Sequence, residues 1–350
     1  MAGSPVHYEE QQMTQLFNTI YGRGLVPELR NTVHRPYLVV TMEDLWPRFA
    51  DQFDEHLVGP LFVGSLERDD LDRTIRDLPR CEAVIGLGGG QALDVAKYVA
   101  WARRLPLFQV PTVMSVNAAW AHRAAVRTGG IVRYVGWAVP EAVYVDFDVI
   151  AGAPVDLNRS GVGDIICYHT AHWDWQMARD LGRTERQWPY DERLVEEAQV
   201  AFQRVVDHAN DIHDVNDDGI RALAESLRWG GSAFHNAGWN PRHIEGAEHY
   251  VFYALEYLTN RPFVHGQIVG LGVLLMSALQ DNRPEWIREV VDRIGVPYRP
   301  EQMGVTWEQV AEAMRRLPEA VERGGLWYTV ASERPVTEEF ITRMRGWLSA

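Results

Sequence analysis

Three side chains stand out for the chemistry that their types allow. Asp164 lies in GVGDIICYHTAHWDW (161–175), after two glycines and in what reads as the first turn of a helix. His249 lies in GAEHYVFYALE (246–256), again in a first helical turn, and His265 lies in FVHGQIVGLGV (263–273), before a glycine and a further helix. An isolated acid at such a place complements the positive end of the helix dipole. An isolated histidine is more often a structural hydrogen-bonder than a ligand. Together, two neutral imidazoles and one carboxylate make a divalent-metal site with one coordination position left for water or a substrate oxygen. That is the arrangement of catalytic rather than structural zinc, and non-haem iron(II) accepts the same ligand types. Spacing alone leaves their convergence open, since Asp164 and His249 lie 85 residues apart (164 to 249). His169, His172, His235 and His243 compete as ligands, and His169 and His172 read as packing or as support for the ligands.

A second feature is the glycine run. AVIGLGGG (83–90) reads as a buried strand entering Gly88, Gly89 and Gly90, and QALDVAKYVAWARR (91–104) continues with apolar residues at helical intervals. Glycines let the backbone turn tightly and approach a ligand, and a helix N-terminus offers free N–H groups to a pyrophosphate. The spacing is not that of the G-x-G-x-x-G fingerprint, so a ligand-free strand-to-helix turn stays open at this point. Asp94 is expected to cap or brace the turn, and Lys97 reads equally as a solvated helix residue.

The elements that must position these groups divide the chain. PYLVVT (36–41), PLFVGS (60–65), 83–90, LFQVPT (107–112) and AVYVDFDVI (142–150) read as strands. Helical spacing covers 43–56, 69–78 and 91–104. Strands alternating with helices predict a mostly parallel sheet with right-handed crossovers. After Pro154 the pattern changes, and 161–181, 192–212, 217–236, 246–259, 266–280, 283–294, 307–316 and 336–348 all read as helices. The expected organisation is therefore an α/β domain over 1–155 and an all-helical domain over 156–350.

Composition narrows the function. With 46% hydrophobic and 23% charged residues in 350, the chain buries a sizeable core. A net charge of -14 argues against nucleic acid and anionic membranes as partners. Two cysteines, Cys81 and Cys167, exclude a disulfide scaffold and a four-thiolate zinc site, and fit a reducing, cytoplasmic setting. MAGSPVHYEEQQ has no basic and apolar leader pattern, and no uncharged apolar run has spanning length. No G-x-S-x-G elbow and no Walker A string occur.

GGGQALDVAK, VPTVMS (110–115), GVGDIICYHTAHWDW, GAEHYVFYALE and HGQIVGLG occur in one order. As a set they resemble the iron-containing alcohol dehydrogenase and dehydroquinate synthase-like superfamily, and within it the sn-glycerol-1-phosphate dehydrogenase branch. That branch has a G-x-GD-x-I motif and a T-A-x-x-DW stretch, matched by Gly163, Asp164, Thr170, Ala171, Asp174 and Trp175. Its two histidine strings lie sixteen residues apart, as His249 and His265 do. The resemblance covers roughly 36–280. It implies a Rossmann-like N-terminal domain that binds NAD or NADP, a helical C-terminal domain, and an active site in the cleft between them. By this likeness Gly88, Gly89, Gly90 and Asp94 match the pyrophosphate loop, and Thr112 and Ser115 line the cofactor. Asp164, His249 and His265 match the catalytic metal ligands, with Zn²⁺ expected first and Fe²⁺ second. A homo-oligomer acting on a small molecule is expected.

Three positions depart from the branch. Asn117 stands where the family has a substrate-contacting Asp, Ala121 where it has a cofactor-contacting Ser, and Tyr253 where it has a substrate-contacting His. Trp120, His122 and Arg123 are expected to flank the pocket, and Arg123 to reach an anion if it points inward. Glu43, after the first strand, is placed to receive an adenosine ribose hydroxyl. The reading is a metal-dependent NAD(P) oxidoreductase that interconverts a small polyol or hydroxy compound, with or without a phosphate or other anionic group, and its ketone or aldehyde, with an altered pocket. The alternatives are a lyase or cyclase of the dehydroquinate synthase type, which uses NAD transiently, and a non-catalytic homologue.

Overall fold

A computed structural model describes residues 17–349, so the leader expectation for the first twelve residues falls outside it. The strands are β1 (Thr19–Gly22), β2 (Tyr37–Thr41), β3 (Leu57–Phe62), β4 (Ala83–Gly88), β5 (Leu107–Pro111), β6 (Ala124–Thr128), β7 (Ile131–Val135) and β8 (Ala142–Asp146). Six of them pair in parallel in the order β1-β8-β5-β4-β2-β3, while β6 and β7 form a separate antiparallel pair. Every residue of β2, β4, β5 and β8 is buried, as expected of a parallel sheet covered on both faces. Side chains alternate between those faces. Leu38, Val40 and Val84 pack on Val95, Ala96 and Val99 of the Gly90–Arg103 helix, whereas Tyr37, Val39, Ile85 and Leu87 meet Val26 and Leu29 on the other side.

The order places the site. β2 has β3 on one side and β4 on the other, so the chain changes direction between β2 and β4. Ligands of open α/β sheets sit beyond the carboxyl ends of strands at such a switch point. The 88–90 turn leaves β4 there, and exposed Glu43 follows β2.

Several expectations are corrected. Residues 43–56 form not one helix but the short 3-10 turns Trp46–Arg48 and Ala50–Gln52. Pro47 supplies no N–H, and Phe49, Trp46 and Phe53 anchor the segment against the sheet. The strand expected over 142–150 stops at Asp146, whose carboxylate accepts the N–H groups of Asp148 and Val149 and starts the Phe147–Ala151 helix. The helix expected over 161–181 is interrupted at Cys167, between Gly163–Ile166 and Tyr168–Asp180. The β6–β7 hairpin was not anticipated. Its two-residue turn, Gly129 and Gly130 at φ 60° and 78°, is a Gly-Gly signal for a type I′ connection.

From Phe147 to Ser349 all described elements are helical. Asp217–Asn236, Ala247–Thr259, His265–Gln280, Pro284–Ile294 and Trp307–Arg315 stand within about two residues of expectation. The His265–Gln280 helix is buried on nearly every side and forms the axis of this half. Glycines set its approach to the Asp164 segment. A Cβ on Gly163 would strike the carbonyl of Gly266, and a Cβ on Gly266 would strike the carbonyl of Ser160. The glycines before Asp164 and after His265 thus let two backbones touch, which brings those side chains together. Among the described residues no helix is long and apolar enough to cross a membrane.

Candidate active site

A cavity of about 1190 Å³ is lined by both halves of the chain, including Gly90, Ser115, Asn117, Asp164, His249 and His265. Asp164, His249 and His265 each offer one ligand atom, and these atoms lie within 4.8 Å of one another. The two imidazole centroids are 5.2 Å apart. Asp164 Oδ2 accepts the Asn117 N–H at 3.1 Å. Its Oδ1 is buried without a hydrogen-bond partner, although His265 Nε2 is 3.3 Å away. His249 is oriented from behind. Its Nδ1–H donates to Glu248 Oε1 at 2.9 Å. Glu248 is itself fixed by the Gly246 N–H at 2.6 Å and the Thr170 hydroxyl at 2.6 Å. A carboxylate behind a histidine fixes its tautomer and leaves the other nitrogen for a ligand.

Electrostatics fit the same picture. Burial, with Glu245 adding to it, pushes the Asp164 carboxyl up to about 6 against the opposing pull of His249 and the Asn117 N–H. Burial disfavours a charged His249, but the carboxylates of Glu245, Glu248 and Asp164 outweigh it and raise its pKa to about 9. Burial and the neighbouring His249 lower His265 to about 3. An orphaned buried carboxylate oxygen beside two imidazoles, in an acidic surround, is the donor set for a divalent cation. The second grouping at this place, Cys167, Glu248 and His249, is closed, because Cys167 and Glu248 are occupied by protein contacts.

The other predicted residues divide. Gly88 has φ 152°, a backbone that favours glycine. Gly89 precedes the Gly90–Arg103 helix at φ −81°. Thr112 is buried, and its N–H donates to the Gly88 carbonyl at 3.0 Å, tying the strand after β5 to the turn. Asp94 does not brace the glycine turn: it pairs with Lys97 Nζ at 2.7 Å and accepts the Ala125 N–H at 3.1 Å, anchoring the hairpin. Lys97 is correspondingly buried rather than solvated. Tyr253 and Arg123 line the cavity. Tyr253 donates its hydroxyl to Glu245 Oε1 at 2.7 Å, and Arg123 lies 4.1 Å over the Trp239 ring. Trp120 does not flank the pocket but is fully buried, with its Nε1–H on Thr19 Oγ1 at 3.1 Å. His169 and His172 pack away from the cluster and meet the carbonyls of Asn282 and His243.

Glu245 and Tyr134 also line this cavity and were not singled out in the sequence. The hairpin carrying Tyr134 was unrecognised. Glu245 sits four residues before His249, a spacing that gave the one available signal.

The sequence profile described as "Iron-containing alcohol dehydrogenase" matches residues 48–154. A glycerol-1-phosphate dehydrogenase [NAD(P)+] of Hyperthermus butylicus is 30% identical over 342 residues, 93% of this chain and 95% of that protein. One of Pyrococcus abyssi is 29% identical over 84% of this chain and 87% of its own. A probable glycerol dehydrogenase of Sinorhizobium meliloti superposes with a TM-score of 0.73 at 19% identity, covering 95% of this chain and 97% of that one.

Proposed function

The chain belongs to the glycerol-1-phosphate dehydrogenase-like branch of the iron-containing alcohol dehydrogenases, and from that membership we propose a metal-dependent NAD(P) oxidoreductase with an altered substrate pocket. It interconverts a small polyol or hydroxy compound and its carbonyl form. The observation that carries the reading is the buried, unpartnered Asp164 Oδ1 beside His249 and His265 in the cleft. We further assign residues 1–155 as the cofactor half and 156–350 as the metal and substrate half. The end of the sheet at Asp146 supports this division.

Asp164, His249 and His265 would hold the ion, with zinc first and iron(II) second. The ion would supply Lewis-acid polarisation of the substrate oxygen, and the nicotinamide would supply or accept hydride. The protein's share is positioning. Glu248 holds His249 by Nδ1, so that its Nε2 faces the cleft. The Asn117 N–H occupies one Asp164 oxygen and so points the other into the site. The 88–90 turn offers backbone N–H groups at a helix start, which suit a pyrophosphate. Thr112 secures that turn through its own N–H, and Ser115 lines the path beyond it. Asn117, Arg123 and Tyr253, all on the cavity wall, would meet the substrate.

The test is absorbance at 340 nm with metal-loaded protein across a panel of polyols and hydroxy-ketones. Stoichiometric, metal-dependent change supports the reading. A product formed without net change in NAD(P)H would instead indicate transient use of the cofactor.

A further inference from the structure

Arg123 stands just before β6, where Lys97 Nζ donates to its carbonyl at 2.7 Å, and it lines the cavity. Its guanidinium lies 4.1 Å over the Trp239 ring. That ring is held in turn. Trp239 has φ 66°, a backbone that a bulky residue rarely adopts, and its N–H donates to the Phe234 carbonyl at 2.8 Å. The rings of Phe234 and His235 meet it edge-on, with centroids 5.2 and 5.1 Å away. The helical half thus builds a platform under a cation supplied by the α/β half.

The guanidinium lacks acceptors. Nη1 reaches only the Tyr134 carbonyl, at 3.5 Å, and the buried Nε has no hydrogen-bond partner. Two other cations of this wall are paired, Lys97 with Asp94 at 2.7 Å and Arg127 with Glu256 at 2.6 Å. Stacking on an aromatic face orients a guanidinium and leaves its in-plane N–H groups free. Nε and Nη2 share one edge, and two parallel N–H groups match two oxygens of a carboxylate or a phosphate. A buried donor without an acceptor is the exception in a folded protein. Arg133 and Arg323 line the same cavity. Arg133 is exposed, and Arg323 lies 3.9 Å from Glu319; both add positive potential around Arg123. The charges acting most strongly on Asp164, His249 and His265 are carboxylates and histidines, so Arg123 stands apart from that cluster within the one cavity.

We propose that Arg123, steadied by Trp239, anchors an oxyanion, carboxylate or phosphate, carried by the substrate away from its reacting carbon. The substrate is then a hydroxy or keto compound with an anionic end rather than a neutral polyol. This rests on the dehydrogenase reading above and narrows its substrate class.

The test uses the full-length, zinc-loaded protein with NADH or NADPH, comparing kcat/KM for hydroxypyruvate, dihydroxyacetone phosphate and dihydroxyacetone. The wild type is expected to favour one of the two anionic ketones over dihydroxyacetone by about tenfold or more. Preference for hydroxypyruvate identifies a carboxylate, and preference for dihydroxyacetone phosphate identifies a phosphate. Arg123→Met is expected to reduce that preference by about tenfold or more, through KM rather than kcat, and Arg123→Lys, which keeps the charge without the fork, to reduce it less. Arg133→Ala is expected to retain most of it. A measurement on the wild type alone keeps the test valid if the Arg123 variants do not fold: in calorimetry with NAD⁺ present, D-glycerate or sn-glycerol 1-phosphate should bind about tenfold or more tighter than glycerol. A wild type that favours dihydroxyacetone, binding of both anions no tighter than glycerol, an unchanged ratio in folded Arg123→Met, or an equal loss in Arg133→Ala would overturn the inference and leave the dehydrogenase reading standing. Failure to reduce any of the three ketones, in folded and metal-loaded protein, would overturn both.

Discussion

The two halves of the molecule treat a buried acid in opposite ways. In the α/β half, Asp94 is met by Lys97 at 2.7 Å and by the Ala125 N–H at 3.1 Å. In the helical half, Asp164 has one oxygen on a backbone N–H and the other on nothing that donates to it. Burial raises both carboxyls, yet only Asp94 has a cation supplied by its own helix. Buried charges are tolerated when paired, so Asp94–Lys97 is a finished structural unit that anchors the hairpin. Asp164 is unfinished as a piece of structure, and that marks it as a place for something from outside. The contrast extends to materials. The proposed cofactor side is made of backbone, a turn at positive φ and strand ends. The proposed metal side is made of side chains that glycine contacts bring together.

Substitutions at one acid and at the other acid's partner break this comparison most strongly. Asp164→Asn should lower turnover about a thousandfold, roughly 4 kcal/mol in transition-state terms, and abolish tight metal binding. The metal-free protein should melt no lower than the wild type, because an unpaired buried charge has been removed. Steady-state rates and calorimetry of the metal-free protein check both halves of that statement. Lys97→Met should do the reverse. It leaves Asp94 buried and unpaired, so denaturant titration should show a loss of about 3–5 kcal/mol.

A smaller effect separates ligand from fold on the cofactor side. Gly89 is at φ −81°, and a Cβ there would meet only Val113 Cγ2, at 3.3 Å. Gly89→Val should therefore fold, while its side chain crowds the N–H groups offered to a pyrophosphate. NADH affinity, read by fluorescence, should fall by about a hundredfold, near 3 kcal/mol. Unchanged affinity would place the dinucleotide elsewhere.

The smallest effect is graded with pH. In metal-free protein His249 titrates near 9 and Asp164 near 6. Both hold protons that a metal must displace. Metal affinity should therefore rise with pH, by about tenfold per unit between about 6 and 9, and level off above. Below about 6 the slope should steepen as Asp164 joins. Calorimetric titration in buffers of different ionisation heat would count the proton released. A pH-independent affinity would contradict the assignment of His249.

Much of this was readable in the residues. The run 83–90 followed by helical spacing gave β4 and its helix, because a fully apolar strand ending in glycines permits few other structures. Asp164, His249 and His265 could be gathered only through family likeness, since no local period links positions so far apart. Gly163 and Gly266 bring two of them together, and contact between glycines leaves no trace in a single sequence. The 43–56 segment misled because its apolar spacing is helical while Pro47 and the anchoring aromatics favour tight turns. The β6–β7 hairpin was missed although Gly129-Gly130 between alternating runs signals it. With it went Tyr134 and the partner that holds Asp94. Trp120 was misplaced because proximity in sequence to Asn117 does not fix the direction of a side chain.

The central claim is that one divalent ion sits on Asp164, His249 and His265. Elemental analysis of the wild type and of His265→Ala, each equilibrated with zinc and desalted, tests it most directly. The account predicts about one ion per chain in the wild type and none retained in the variant, with helical circular dichroism preserved and NAD(P)H turnover lost together with the metal. A His265→Ala protein that retains the full metal content and full turnover would contradict it and put the site elsewhere.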